Sequence, residues 1–294
     1  MTSAAQPAHQ LLEIAAGLAH LPVDGAELIR DGANVLYQLP NRIVARIGRP
    51  GTYEIALREL QASRWLATSG FPVVRALDVH QPTLVEDRPV TWWELLPEHR
   101  SATPSELGAV LRDLHALPLP AETPLPEHNP LRGLSTSICG ASTVSAADRS
   151  WLLSHLHDLE KRYRELPEGL PRCVVHGDAW QGNVAVIPQR RPVVLDLDHV
   201  AIGRPEWDLI PLAVDRMDFQ RISEAEYRAF VTAYGGFDVT TWPGYRPLAD
   251  ICELRWLCFA LTKADSNKRA AAEAEHRLSC LRGDIPRPWT WSAF

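Results

Sequence analysis

Residues 173–209, CVVHGDAWQGNVAVIPQRRPVVLDLDHVAIGRPEWDL, decide how the rest of the chain is read. Two apolar runs, Val184-Ala185-Val186-Ile187 and Val193-Val194-Leu195, flank a polar loop with a proline at each end, Pro188 and Pro192, which predicts a β-hairpin. Antiparallel partners keep a constant sum of residue numbers, so pairing Ile187 with Val193 sets Val184 opposite Asp196. Asn183 and Asp196 then stand side by side at the open end. A third short strand, Cys173-Val174-Val175, delivers His176-Gly177-Asp178 into the loop entering the hairpin. Three oxygen-bearing side chains, Asp178, Asn183 and Asp196, are thus expected at one mouth.

Carboxylate and amide oxygens gathered this way suit magnesium, a hard cation that takes few protein ligands and completes its shell with water and phosphate oxygens. That donor set is the equipment of phosphoryl transfer, in which an acidic residue orients an attacking hydroxyl while a metal neutralises charge on the transferred group. The segment resembles the aminoglycoside phosphotransferase and choline kinase family of protein-kinase-like small-molecule kinases. His176-Gly177-Asp178, Asn183 and Leu195-Asp196 reproduce its HGDxxxxN pattern and the strand that ends in Asp. Gly203, Pro205 and Asp208-Leu209 look like that family's continuation. The resemblance implies Asp178 as catalytic base or hydroxyl orienter, Asn183 and Asp196 as magnesium ligands, His176 as scaffold and Asp208 as a buried brace of the loop. Two departures, Trp180-Gln181 in place of His-Pro and Arg204 in place of an acidic residue, leave the chemistry intact and the acceptor open.

At 294 residues, with 46% hydrophobic composition, the chain is ordinary for a globular protein with a substantial core. A net charge of −6 argues against a nucleic-acid partner and suits a cationic small substrate. No run is long enough for a bilayer span, and the N-terminal residues lack the basic and apolar regions of an export signal, so a cytoplasmic location without a membrane partner is expected. Five cysteines without zinc-type spacing predict reduced, mostly buried thiols. A monomer or homodimer is expected.

Ahead of this stretch, residues 9–21 carry Leu11, Ile14, Ala15 and Leu18 at helical spacing. Three strands follow around 28–30, 35–39 and 42–47, and the turn from Asp31 to Asn34 occupies the place of a nucleotide-covering loop. Asn34 is its candidate nucleotide contact, with an ordinary hairpin turn as the alternative. The resemblance places at Arg46 the cation that meets the nucleotide's phosphates, with an orienting carboxylate from the helix over 52–69. Glu59 is the preferred partner and Glu54 the competitor. Strands are predicted over 73–77, 83–86 and 90–96, the last leading to a hinge where the backbone from Trp93 through Glu94 to Leu96 holds the base of ATP, with GTP as the alternative.

A capped helix runs from Thr103 to His115, whose imidazole is expected to pack rather than react. A proline-rich surface segment spans 118–130 and a long helix 146–166. Beyond Asp208 four helices are predicted. There the resemblance offers Asp215, Asp218, Glu224, Asp250 and Glu253 as binders of acceptor amines, solvated surface charge being the alternative. The aromatic tail, 286–294, is expected to pack back on the lobe.

The fold expected is α+β and two-lobed, protein-kinase-like. A small antiparallel sheet lobe with one helix, 1–96, binds nucleotide, and a larger, mainly helical lobe, 97–294, carries catalysis and the acceptor. The function expected is transfer of the γ-phosphoryl of ATP, with Mg2+, to a hydroxyl of an aminoglycoside or another amino-bearing sugar or alcohol. The alternative is a catalytically silent nucleotide-binding pseudokinase.

Overall fold

The computed structural model describes residues 8–32, 34–121, 123 and 125–294. In chain order the first elements are α1 (Ala8–Leu18), β1 (Glu27–Asp31), β2 (Val35–Leu39), β3 (Ile43–Ile47), α2 (Tyr53–Thr68), β4 (Thr83–Val85), β5 (Arg88–Glu94) and β6 (Arg100–Ser101). Then come α3 (Pro104–His115), α4 (Leu134–Gly140), α5 (Ala146–Arg164), β7 (Cys173–Val175), β8 (Val184–Val186), β9 (Val193–Val194) and β10 (Ala201–Gly203). Four helices close the chain: α6 (Glu206–Met217), α7 (Glu224–Tyr234), α8 (Tyr245–Ala264) and α9 (Lys268–Arg282). The fold is mixed α+β, with an antiparallel N-terminal sheet and a mainly helical C-terminal part. Contacts divide the chain into two compact units. The described residues of Met1–Ala102, Pro118–Pro126 and Gln181–Val200 form one; Thr103–Leu117, Glu127–Trp180 and Ala201–Phe294 form the other.

The first unit is built on a five-stranded antiparallel sheet in the order β1-β2-β3-β5-β4. Alternation along β3 buries Ile43, Ala45 and Ile47 in the cluster that α1 covers, which turns Val44 and Arg46 to the opposite face. In α1 the buried stripe is Leu11, Leu12, Ala15 and Ala16, whereas Ile14 and Leu18, expected in the core, are exposed. Residues 73–77 form two isolated bridges, Val73 with Val194 and Ala76 with Trp93, instead of the predicted strand. The segment passes from one sheet to another, so neither partner extends it.

The hairpin β8–β9 belongs to this unit, in a three-stranded sheet of order β6-β8-β9. Its register is Val184 with Val194 and Ala185 with Val193, two residues from the expected pairing. A tight turn in which the Arg190 amide donates to the Ile187 carbonyl withdraws Ile187 from the ladder and causes the shift. The Asn183 carbonyl therefore accepts from the Leu195 amide at 2.9 Å, and Asp196 follows one residue past the ladder.

In the second unit, β7 pairs antiparallel with β10, α3 packs against β7, and the helices α4 to α9 belong to the same unit. Thr103 and Glu106 form a reciprocal capping box at the start of α3, as Ser223 and Glu226 do for α7. Four of the five free cysteines are buried. No described helix is long and apolar enough to cross a membrane. The tail packs back as its composition requires. Trp289 and Trp291 stack with centroids 5.3 Å apart, both lie edge-on to Phe219, and Arg287 covers the Trp289 ring at 3.9 Å. Trp289→Ala should therefore cost about 3–5 kcal/mol of stability, measured by urea unfolding, because it opens a cavity in this stack.

Candidate active site

In the first unit the centre of charge is Arg46. Its guanidinium donates to Glu59 of α2, which is 4% exposed, so the pair is largely withdrawn from water. With its amide turned so that the oxygen faces the guanidinium, Asn34 accepts from Arg46 Nη2 at 2.8 Å and from Nε at 3.0 Å. Nη2 also lies 3.9 Å from Asp196 Oδ1 and 3.9 Å from Asp198 Oδ2. A cavity of about 50 Å³ is lined here by Asn34, Arg46, Thr52, Glu59, Thr91 and Asp198.

Burial works against the Arg46 charge, but Glu59, Asp196 and Asp198 outweigh it and hold the guanidinium above its ordinary pKa. Burial pushes Glu59 up to about 7, against the pull of Arg46. The arginine therefore stays charged, and the carboxylate is the partner that titrates. Glu54, the competing candidate, is exposed.

Asp196 adopts a left-handed φ of 55°, a conformation that Asp tolerates better than most residues. Asp198 was not among the expected site residues. The signal for it is the alternation Asp196-Leu197-Asp198, with Leu197 1% exposed between two more accessible carboxylates.

At the expected hinge the Glu94 amide donates to the Arg75 carbonyl at 2.9 Å and the Leu95 amide to the Arg42 carbonyl at 2.7 Å. Trp93 is buried, and its indole N–H donates to Thr91 Oγ1 at 2.8 Å. Leu96 is half-buried just beyond.

In the second unit the loop after β7 is held by Asp208, which is 1% exposed near the start of α6. Its Oδ2 accepts from the His176 amide at 2.6 Å and its Oδ1 from the Gly177 amide at 2.8 Å, while His115 Nε2 lies 3.0 Å from Oδ2. Burial raises its pKa, but the hydrogen bond and charge of His115, with His176, outweigh this and hold the carboxyl below the usual range.

Gly177 turns with φ 82°, open to glycine, and its carbonyl accepts from Trp207 Nε1 at 2.9 Å. His115 and His176 pack and bond as scaffold, and the Asp178 amide donates to His176 Nδ1 at 3.3 Å. Asp178 itself is exposed, and Ala179 behind it is buried. Asp178 precedes Gln181, where the chain enters the first unit, by three residues.

A wider cavity of about 580 Å³ lies in the second unit at Glu127, His128, Tyr163, Arg172 and Arg204, and holds none of the expected residues. Each acidic side chain expected to receive acceptor amines meets an arginine. Asp215 meets Arg221 at 2.8 Å and Asp250 meets Arg162 at 2.8 Å. Asp218 meets Arg246 at 2.9 Å and Arg287 at 2.6 Å, while Glu253 meets Arg246 at 2.6 Å and Arg287 at 3.0 Å. Glu224 pairs with Arg228 on the surface of α7.

Residues 27–248 match the model of the phosphotransferase enzyme family. No match was found among curated proteins. Among solved structures, the amicoumacin kinase hAmiN, in complex with AMP-PNP, Ca2+ and Ami, is 16% identical with a TM-score of 0.75, covering 97% of this chain and 96% of its own. A choline/ethanolamine kinase family protein from Mesorhizobium loti is 18% identical, with a TM-score of 0.64 and coverage of 95% and 96%. The choline kinase LicA from Streptococcus pneumoniae is 16% identical, with a TM-score of 0.66 and coverage of 93% and 99%. At such identities the likeness is one of fold.

Asp208→Asn leaves one of the loop amides facing a donor instead of an acceptor. We expect a loss of about 1–3 kcal/mol at neutral pH by denaturant titration. The native carboxyl titrates below its ordinary value of 3.8, so its contribution is present above that value and lost as the pH falls further. The difference between the two proteins should therefore shrink in strong acid.

Proposed function

The chain belongs to the phosphotransferase enzyme family, and we propose that it moves the γ-phosphoryl group of ATP to a hydroxyl of a small molecule. The observation that carries this reading is Arg46, oriented by a buried Glu59 and by Asn34 and standing 3.9 Å from Asp196 and Asp198. A guanidinium fixed on several sides is a preorganised partner for phosphate oxygens. Fixing it beforehand spares its reorganisation during the reaction. In this reading residues 1–96 hold the nucleotide and 97–294 supply Asp178 and the acceptor site. The amides of Glu94 and Leu95 are committed within the chain, and the remaining backbone groups from Trp93 to Leu96 meet the base edge of ATP, or of GTP in its place.

The residues present fit magnesium. Three carboxylates, Glu59, Asp196 and Asp198, face one guanidinium, so the cluster carries an excess of negative charge and presents hard oxygen donors. Asn183 and Asp196 would hold the ion. When bound, magnesium neutralises charge on the phosphates.

Asp178 orients the acceptor hydroxyl and accepts its proton. The acceptor oxygen forms the new bond to the γ-phosphorus, the bond from that phosphorus to the bridging oxygen breaks, and ADP leaves with the electron pair. Asp208 holds the loop that carries Asp178 through the amides of His176 and Gly177.

Acceptor-dependent ADP release should fall by roughly 10²–10⁴-fold in Asp178→Ala, as loss of a proton acceptor does. Equal rates in the two proteins would refute the assignment. Arg46→Ala should raise KM for ATP. Because burial sets Glu59 near 7, it gains a proton and releases Arg46 as the pH falls through about 7. The ratio kcat/KM for ATP should then drop on the acid side, and Glu59→Gln should flatten that limb of the profile.

A further inference from the structure

The cavity of about 580 Å³ in the second unit takes no part in the reaction proposed above. It lies at one end of the β7–β10 pair, where Arg172 precedes β7 and Gly203 ends β10. Asp178 follows the other end of β7. At about 3.3 Å per residue the strand holds Arg172 and His176 roughly 13 Å apart, so the cavity is separate from the loop that carries Asp178.

Its walls are fixed by the backbone. Glu127 bridges Ile202, and the His128 amide donates to the Ile202 carbonyl at 2.9 Å, which lays this segment along β10. Gly203 permits the approach, since a Cβ there would stand 2.7 Å from His128 Cβ. In the segment before β7 the Leu170 amide donates to the fully buried Glu206, and the Glu168 carbonyl accepts from Trp242 Nε1 at 2.8 Å. A cavity held in this way is preformed and asks little ordering of itself when a ligand enters.

The charge inside it is not balanced. Arg204 is half-buried, and its guanidinium donates to the Pro167 carbonyl at 3.3 Å; among the described residues no carboxylate lies within ion-pair distance of it. Arg172 reaches the Ile202 carbonyl at 3.4 Å and pairs with Glu127, the two side chains being 56% and 70% exposed. A pair so open to water contributes little and yields to a better anion. Burial raises the pKa of the Tyr163 hydroxyl, Arg204 and Arg172 draw it down, and Glu127 opposes them more weakly. All four side chains line the cavity. A cation half out of water with no counter-ion favours an incoming anion, and a guanidinium fork matches the paired oxygens of carboxylate and phosphate.

We propose that this cavity is a second binding site, for a small dianion carried as a phosphate monoester or a dicarboxylate. Arg204 and Arg172 are its anchors, and the Tyr163 hydroxyl is a third donor. Such a site is independent of the phosphoryl transfer proposed above. Because Arg204 departs from the acidic residue frequent in the resembled family, the site is a feature of this chain.

The test titrates glycerol 3-phosphate and succinate by calorimetry into the full chain held with saturating magnesium and AMP-PNP, so that the nucleotide site is filled. At least one should bind one-to-one with a Kd of about 1 mM or tighter that weakens as salt is added, and glycerol should not bind. Which of the two binds identifies the carrier of the charge. Arg204→Glu should abolish binding and Arg172→Ala should weaken it roughly tenfold, whereas Arg228→Ala, at an exposed arginine of α7, should leave it unchanged. AMP-PNP affinity should not move in any of them, which shows that the variants are folded. If Arg204→Glu does not fold, Arg204→Lys keeps the charge, loses the fork and should bind several-fold more weakly. Three results would each overturn the proposal: no saturable binding of either dianion up to about 10 mM, an unchanged Kd in either cavity variant, or tighter binding of spermidine than of both dianions.

Discussion

The Asp208 carboxylate, taken almost wholly out of water, is the constraint on which the loop carrying Asp178 depends. Burying a charge is costly unless hydrogen bonds replace its hydration. Here two consecutive backbone amides and one imidazole do so. Because those amides belong to His176 and Gly177, the same bonds that stabilise the charge fix the turn that presents Asp178. The side chain of the neighbouring Trp207 closes the loop from its carbonyl side. Exposure of Asp178 is thus the product of strong burial around it.

The first unit solves the reverse problem, holding a cation near a place where anions are expected. Arg46 alternates out of the α1-covered core of β3, and the helix α2 supplies Glu59 on the face where the guanidinium emerges. Glu59 titrates nearer neutrality than an ordinary carboxyl because burial outweighs its partner. Asn34 and the two carboxylates of the 196–198 turn complete the surroundings with oxygen. The excess of acid over base is a property of the cluster, and no single residue in it shows that excess.

Local chemistry explains why much of this was legible beforehand. Capping at Thr103, alternation along β3, the hairpin with its proline-bounded loop and the HGD tripeptide each depend on neighbours within a few residues. The hairpin register was missed by two residues because the turn that withdraws Ile187 is a backbone choice that its apolar side chain does not announce. The strand expected over 73–77 dissolved into two bridges for a similar reason, since a strand needs a continuous partner as well as a favourable sequence.

By itself the sequence determined the family motif, the positions of most elements and the candidates Asp178, Asn183 and Asp196, because spacing along the chain carries that information; Arg46 came as a candidate from the resemblance. Tertiary structure alone decided that Glu59 and not Glu54 meets Arg46, that Asp198 joins them, and that the acidic residues of the last helices are paired. Arg287 and Glu253 stand 34 residues apart in the chain and 3.0 Å apart in space. Such contacts are set by how helices pack, and the charge of a residue says nothing about whether it will be spent on the protein or left for a ligand. The exposure of Trp180, 54%, is of the same kind, since an apolar residue type does not by itself say that the side chain is buried.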